Sequence, residues 1–236
     1  MLPVKKPLWV VLFYILTAVA TISCTYWGSR AITVLSENQT IARQHCIIID
    51  PGHGGVDGGA TSCSGKKESE YNLEISHRLN DLLHLLGYDT RMIRTTDISV
   101  YTEGETIARK KVSDLKERVR IINETENALL LSIHQNNFSD SRYRGAQVFF
   151  AGTEGSQAFA EQLQGAFVSY LNPGSTRLSK KSSGVYLMEH IQCPGVLIEC
   201  GFLSNPEEDA LLRLPQYQKK LCCVISSLTS QFISNT

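Results

Sequence analysis

From His45 onward, short apolar runs that stop at polar or glycine-rich residues alternate with longer segments whose apolar positions recur at helical spacing. This alternation is the tightest constraint on the fold. A run of four to eight apolar residues is too short for a buried helix, and being apolar on both sides it must lie between two covering layers. His45–Asp50 (HCIIID) stops at Pro51-Gly52, and five more runs read as strands: Tyr88–Arg94, Ala128–His134 (ALLLSIH), Gly145–Ala151 (GAQVFFA), Val185–Glu189 and Gly195–Cys200 (GVLIEC). Between them, Leu73, Ile75, Leu79, Leu82, Leu83 and Leu86 mark a helix that Gly87 ends. Val112–Glu124 carries Leu115, Val119 and Ile122 on one face, and Ser156–Leu171 is a helix with Ser156 as its N-cap. Pro206–Leu212 and Tyr217–Phe232 are closing helices. The fold class expected is α/β, a sheet covered by helices on both faces.

The N-terminus obeys a different rule. No charged residue lies between Leu8 and Tyr26, with Lys5 and Lys6 before the run and Arg30 after it. About 20 apolar residues suffice to cross a bilayer as a helix, and lysines ahead of the run place the N-terminus in the cytoplasm and the rest outside. Residues 1–30 are therefore expected to be a membrane anchor or signal segment, 31–44 a polar linker, and 45–236 the catalytic domain. An uncleaved transmembrane helix is the preferred reading, since the run exceeds the apolar core of about 7–15 residues in a secretory signal. Thr21-Ile22-Ser23-Cys24 is a poor lipid-attachment site.

Lys plus Arg and Asp plus Glu both number 23. A nucleic-acid binder needs a basic surplus, so that class is excluded. With 42% hydrophobic and 19% charged residues, disorder is excluded too. The seven cysteines are odd in number, irregularly spaced and without a C-x-x-C pair, so they do not form a disulfide framework.

In open α/β sheets, ligands bind beyond the carboxyl ends of the strands. Three of the strands end in chemistry: Asp50-Pro51-Gly52-His53-Gly54-Gly55, Ser132-Ile133-His134-Gln135-Asn136, and Ile198-Glu199-Cys200-Gly201-Phe202. If these strands are parallel neighbours, His53, His134 and Glu199 converge. Alone, His53 is an ordinary loop histidine and His134 a satisfied core histidine. Glu199 is harder to dismiss, because a carboxylate inside a buried strand is costly unless it is paired or metal-bound. Two histidines and a carboxylate make a catalytic zinc set, and a second carboxylate is then needed as a base. Asp50, Asp57, Glu68, Glu70, Glu74 and Glu199 are the acids available, and spacing leaves open which is ligand and which is base. The glycine loop lacks the spacing of a phosphate or dinucleotide fingerprint, and no G-x-S-x-G elbow is present.

Four ordered motifs carry a resemblance: Ile49-Asp50-Pro51-Gly52-His53-Gly54-Gly55; Glu68 ahead of Asn72-Leu73; Ser132-Ile133-His134-Gln135-Asn136; and Glu199-Cys200-Gly201-Phe202-Leu203-Ser204-Asn205. Over residues 45–233 the chain resembles the zinc-dependent N-acetylmuramoyl-L-alanine amidases of the amidase-3 family. The N-terminal anchor, the single catalytic domain, Gly145–Phe149 and Val185–Met188 resemble the CwlD-type members from spore-forming bacteria, which act in making muramic-δ-lactam of the spore cortex. The resemblance implies a mixed, mostly parallel twisted sheet of about six strands flanked by helices. It implies zinc held by His53, Glu68 and His134, with Glu199 as the catalytic acid–base. The substrate implied is peptidoglycan, cut between the lactyl group of muramic acid and L-Ala. A lipoprotein activator, as in some clostridial relatives, is an implied partner. The place implied is outside the cytoplasm, facing the intermembrane space around the forespore.

Further expectations attach to neighbouring residues. Asp50 partners a ligand histidine or only caps a turn, Asn136 orients a ligand or substrate or only fixes a turn, and Arg118 binds substrate or is a solvated helix-face residue. The stretch between Arg94 and Val112 is too short for an autoinhibitory insertion, so an open site is expected. The alternatives to an amidase are a non-catalytic peptidoglycan-binding pseudoenzyme or another zinc cell-wall hydrolase.

Overall fold

The runs Cys46–Pro51 (β1), Ala128–Asn136 (β3) and Gly195–Phe202 (β6) pair side by side and parallel, as their two-sided apolarity requires. Asp89–Met92 (β2) joins β1 in parallel, Gln147–Phe150 (β4) runs antiparallel to β6, and the two-residue Lys180–Lys181 (β5) lies parallel to β4. The sheet order is β2-β1-β3-β6-β4-β5, a mixed six-stranded sheet. The computed structural model describes residues 8–235, without the side chains at 8, 11, 14 and 31–43. It divides into two units, Met1–Ile41 and Ala42–Thr236.

The helices of the second unit are Glu68–Leu85 (α2), Ile107–Asn123 (α3), Ser156–Tyr170 (α4), Tyr186–His190 (α5), Pro206–Leu212 (α6) and Pro215–Ser234 (α7). Side chains alternate across a strand, so each central strand supplies both layers. Ile48, Leu130 and Leu197 face a core made with Ile122 of α3, Leu187 and Met188 of α5, and Ile191. Their neighbours Ile47, Ile49, Leu129, Leu131, Val196 and Ile198 are also buried. They face the other way, toward the layer of α2, α4 and α7, which contact one another. Fully burying each such side chain contributes about 1.5–3 kcal/mol.

Several expectations change. Val185–Glu189 is not a strand: Tyr186–His190 is helix α5, and the fifth strand is Lys180–Lys181. Five residues with apolar neighbours satisfy either period, and Leu187, Met188 and Ile191 reach the core only as a helical turn. Ser156 does not cap α4. Gly155, at φ 79, holds that place, and the buried Ser156 hydroxyl instead accepts from Gly195 N at 3.0 Å, tying α4 to the start of β6. Helix α2 starts at Glu68, with the Glu70 carboxylate accepting from Lys67 N at 3.1 Å.

In the first unit one helix, α1, runs Leu8–Gln44, so residues 31–44, expected as a linker, are helical. No helix among the described residues is long and apolar enough to cross a membrane. Lys5 and Lys6 lie outside the described residues. Within the apolar run, Trp9, Phe13, Leu16, Ile22 and Tyr26 are exposed.

Candidate metal centre

The parallel order brings the three strand ends together. His134 and Glu199 are register partners across β3 and β6, and Asp50 and Ser132 across β1 and β3. Beyond β1 the chain turns sharply under the His134 ring. A Cβ at Gly52 would lie 2.2 Å from His134 Cε1 and Nε2, so only glycine permits this approach. Gly59, at φ 66, is bound in the same way, because a Cβ there would meet Glu68 Oε2 at 2.6 Å and His53 Cδ2 at 2.7 Å.

Glu68 opens α2, where the helix N-terminus favours a carboxylate. Its Oε2 accepts from Ala60 N at 3.0 Å and its Oε1 from Gln135 N at 3.2 Å. The same Oε1 faces His53 Nε2 at 3.2 Å and His134 Nδ1 at 3.0 Å. One ligand atom from each of His53, Glu68 and His134 lies within 4.8 Å of the others. Burial works against the Glu68 charge, but the hydrogen bonds and charges of His134 and His53 outweigh it and hold the carboxyl far below its usual range. For His53, burial favours the neutral ring, yet Glu68 and Asp57 push its pKa up to about 9. Two imidazoles crowding one carboxylate at this depth form a set that a dication would complete.

Glu199 completes the opposite wall. Its Oε2 is sealed from solvent and has no hydrogen-bond partner among the described residues. Burial raises its pKa to about 7, with His134 and His53 opposing and the Glu68 charge adding to the rise. A carboxyl poised near neutrality beside a vacant acceptor direction can take and return a proton. Roughly a quarter of the His53 side chain and a fifth of the His134 side chain are exposed, so solvent reaches both rings.

The structure revises the expectations for the flanking residues. Arg118 is buried at 2% exposure and is neither a solvated helix residue nor free to reach a substrate. Its guanidinium pairs with Asp50 and, at 2.7 Å, with Asp114, and donates to Pro51 O at 3.0 Å and His53 O at 2.7 Å. Asp50 accepts from Arg118 and from Ser132 Oγ at 2.8 Å, so it supports the His53 loop through Arg118 rather than by bonding a ligand imidazole. Burial disfavours its charge, but Arg118, His134 and Ser132 hold its pKa down. Asn136 sits at a register shift between β3 and β6, where its carbonyl accepts from Leu203 N at 2.7 Å.

Three contributors were given no role by the sequence, although Asn72 and Gln135 lie within its motifs. Asn72 donates to Gly52 O at 3.1 Å and Glu68 Oε1 at 3.4 Å, and Gln135 donates to Asn72 Oδ1 at 3.3 Å. Buried Arg94 at the end of β2 donates to Pro51 O at 2.9 Å, Gly52 O at 3.0 Å and Ser69 O at 2.9 Å. The available signal was their place at strand ends or one helical turn from Glu68.

The chain is similar to known proteins. The N-acetylmuramoyl-L-alanine amidase family matches residues 47–227. The germination-specific N-acetylmuramoyl-L-alanine amidase of Bacillus subtilis is 40% identical over 182 residues, 76% of each chain. The CwlD amidase of Clostridioides difficile, solved in complex with the GerS lipoprotein, superposes with a TM-score of 0.77 at 33% identity, covering 81% of this chain and all of that one. An N-acetylmuramoyl-L-alanine amidase of Clostridium difficile 630 gives 0.71 at 26% identity, covering 82% of this chain and 99% of that one. The chain belongs to the N-acetylmuramoyl-L-alanine amidase family.

Proposed function

We propose that the chain uses zinc to hydrolyse the amide between the lactyl group of N-acetylmuramic acid and L-Ala in peptidoglycan, in making the muramic-δ-lactam of the spore cortex. The observation that carries the chemistry is the Glu199 carboxylate, with an unpartnered, shielded oxygen, set beside the His53–Glu68–His134 cluster. The cortex assignment is supported by the likeness to the germination-specific relative.

His53 Nε2, Glu68 and His134 Nδ1 would hold the metal. When bound, zinc supplies a Lewis acid for the amide carbonyl and lowers the pKa of water. Glu199 takes the proton of the attacking water and returns it to the leaving amine of L-Ala. Its raised pKa suits both transfers near neutral pH. Arg118, Asp50 and Arg94 hold the Pro51–His53 backbone still, so that the base and the scissile bond meet in one geometry.

The N-terminal helix anchors the enzyme at a membrane, with the catalytic unit outside the cytoplasm and facing the intermembrane space around the forespore. This is supported by the uncharged run 8–26 and its exposed aromatic and aliphatic side chains. A lipoprotein partner is supported by the complex in which the C. difficile relative was solved.

The test is digestion of purified muropeptides by the full chain, with mass analysis of the products. Stem peptide freed at L-Ala, lost on chelation and restored by zinc, is the expected result. Release of acetate or of a terminal amino acid would overturn the amidase reading, and binding without cleavage by the zinc-loaded protein would make it a binding module.

A further inference from the structure

His53 is gripped from two sides by one helix. Its backbone adopts φ 61, the left-handed region that a side chain disfavours, so something outside the loop must hold it there. Arg118 Nη2 does so through the His53 carbonyl at 2.7 Å. Asp57 holds the ring, with Oδ2 lying 3.0 Å from Nδ1 while Nε2 faces Glu68.

Asp57 is itself pinned. Gly54 and Asp57 exchange two backbone hydrogen bonds of 2.7 and 3.1 Å, and Asp57 Oδ1 accepts from Gly59 N at 3.3 Å and from Lys111 Nζ at 2.8 Å. Lys111 and Arg118 are two turns apart on the same side of α3.

The second imidazole is treated differently. His134 Nδ1 faces Glu68, its ring abuts Gly52, and no hydrogen bond among the described residues uses its Nε2. An imidazole that offers one nitrogen to a cation carries its proton on the other, and a carboxylate accepting that proton fixes tautomer and orientation.

We propose that Asp57 is the positioning residue of His53, keeping the proton on Nδ1 and turning Nε2 toward the metal, and that Lys111 holds Asp57 in that place. This rests on the metal reading of the centre given above. It predicts an asymmetric site, in which His53 is oriented by a carboxylate relay and His134 by packing alone.

The experiment measures zinc affinity of the full chain by chelator competition, together with the imidazole nitrogen and ring-proton NMR signals of His53. D57A and D57N are expected to weaken zinc binding about 10–100-fold, and in the zinc-loaded protein the His53 Nδ1 proton should lose its hydrogen-bonded downfield shift and exchange faster with water. D57E is expected to recover most of the affinity. K111M should cost about 2–5-fold, the scale of a surface ion pair, and the difference should vanish in about 1 M salt.

Zinc affinity of D57N within twofold of wild type, or a His53 Nδ1 proton in zinc-loaded D57A as shifted and as slow to exchange as in wild type, would overturn the inference. If D57A does not fold, D57N and K111M decide the matter alone. A wild-type chain that binds no zinc sinks the metal reading itself, an outcome distinct from a zinc-binding wild type that D57N matches.

Discussion

Two buried polar clusters lie side by side at the carboxyl ends of β1, β3 and β6, and they are finished to different degrees. Around Asp50, both acids are answered: Arg118 meets Asp50 and Asp114, Ser132 meets Asp50, and Arg118 and Arg94 also donate to the backbone carbonyls of Pro51, Gly52 and His53. Around Glu68, two imidazoles compete for one oxygen and Glu199 leaves an oxygen with no partner among the described residues. A closed network rigidifies, because each group already has what water would have given it. An open one retains free energy of interaction for something that arrives. The closed cluster therefore frames the loop, and the open one is where we propose the chemistry takes place.

This contrast is broken or sharpened by three measurements. The largest effect belongs to the open cluster. E199Q removes the group proposed to move the proton, and hydrolysis is expected to fall at least about 10²–10⁴-fold while zinc stays bound. Retained activity would erase the distinction between the clusters. Next comes the closed cluster: R118M leaves the Asp50 charge buried and unpaired, an effect of about 3–5 kcal/mol in denaturant unfolding. The loss should already be present in the metal-free protein and be at least as large with zinc, because Arg118 also holds the His53 carbonyl. An unchanged midpoint would show that the pair is not structural.

The smallest effect concerns pH. The folded pKa of Glu199 is raised to about 7, above its value in the unfolded chain. The group's contribution to stability is therefore fully present below the unfolded value and is lost as pH rises through about 7. For metal-free protein, the stability gap between E199Q and wild type should widen from pH 4 to pH 8 by on the order of 3 kcal/mol. A gap independent of pH would mean that the carboxyl is not desolvated.

Much of the fold could be read in advance because β1, β3 and β6 are apolar on both faces, and only a doubly covered sheet hides such strands. The α5 turn could not, because a handful of apolar neighbours fits both periods and packing alone chooses. At the site, His53, His134 and Glu199 announced themselves at strand ends. Glu68 did not separate from five other acids by spacing. It came from the likeness to a known family, and the structure brings it within reach of both histidines. Arg118 was misjudged because helical periodicity places apolar residues inward and says nothing of an arginine answered by buried acids.

The sequence by itself determined the layered α/β class and the strand ends at which His53, His134 and Glu199 stand. Those follow from local rules, since burial pattern and period are properties of neighbouring residues. Tertiary structure decided which carboxylates pair and which remain unanswered. That Asp50 is neutralised by a helix 68 residues away while Glu199 is not depends on contacts between distant segments, and no local pattern encodes them.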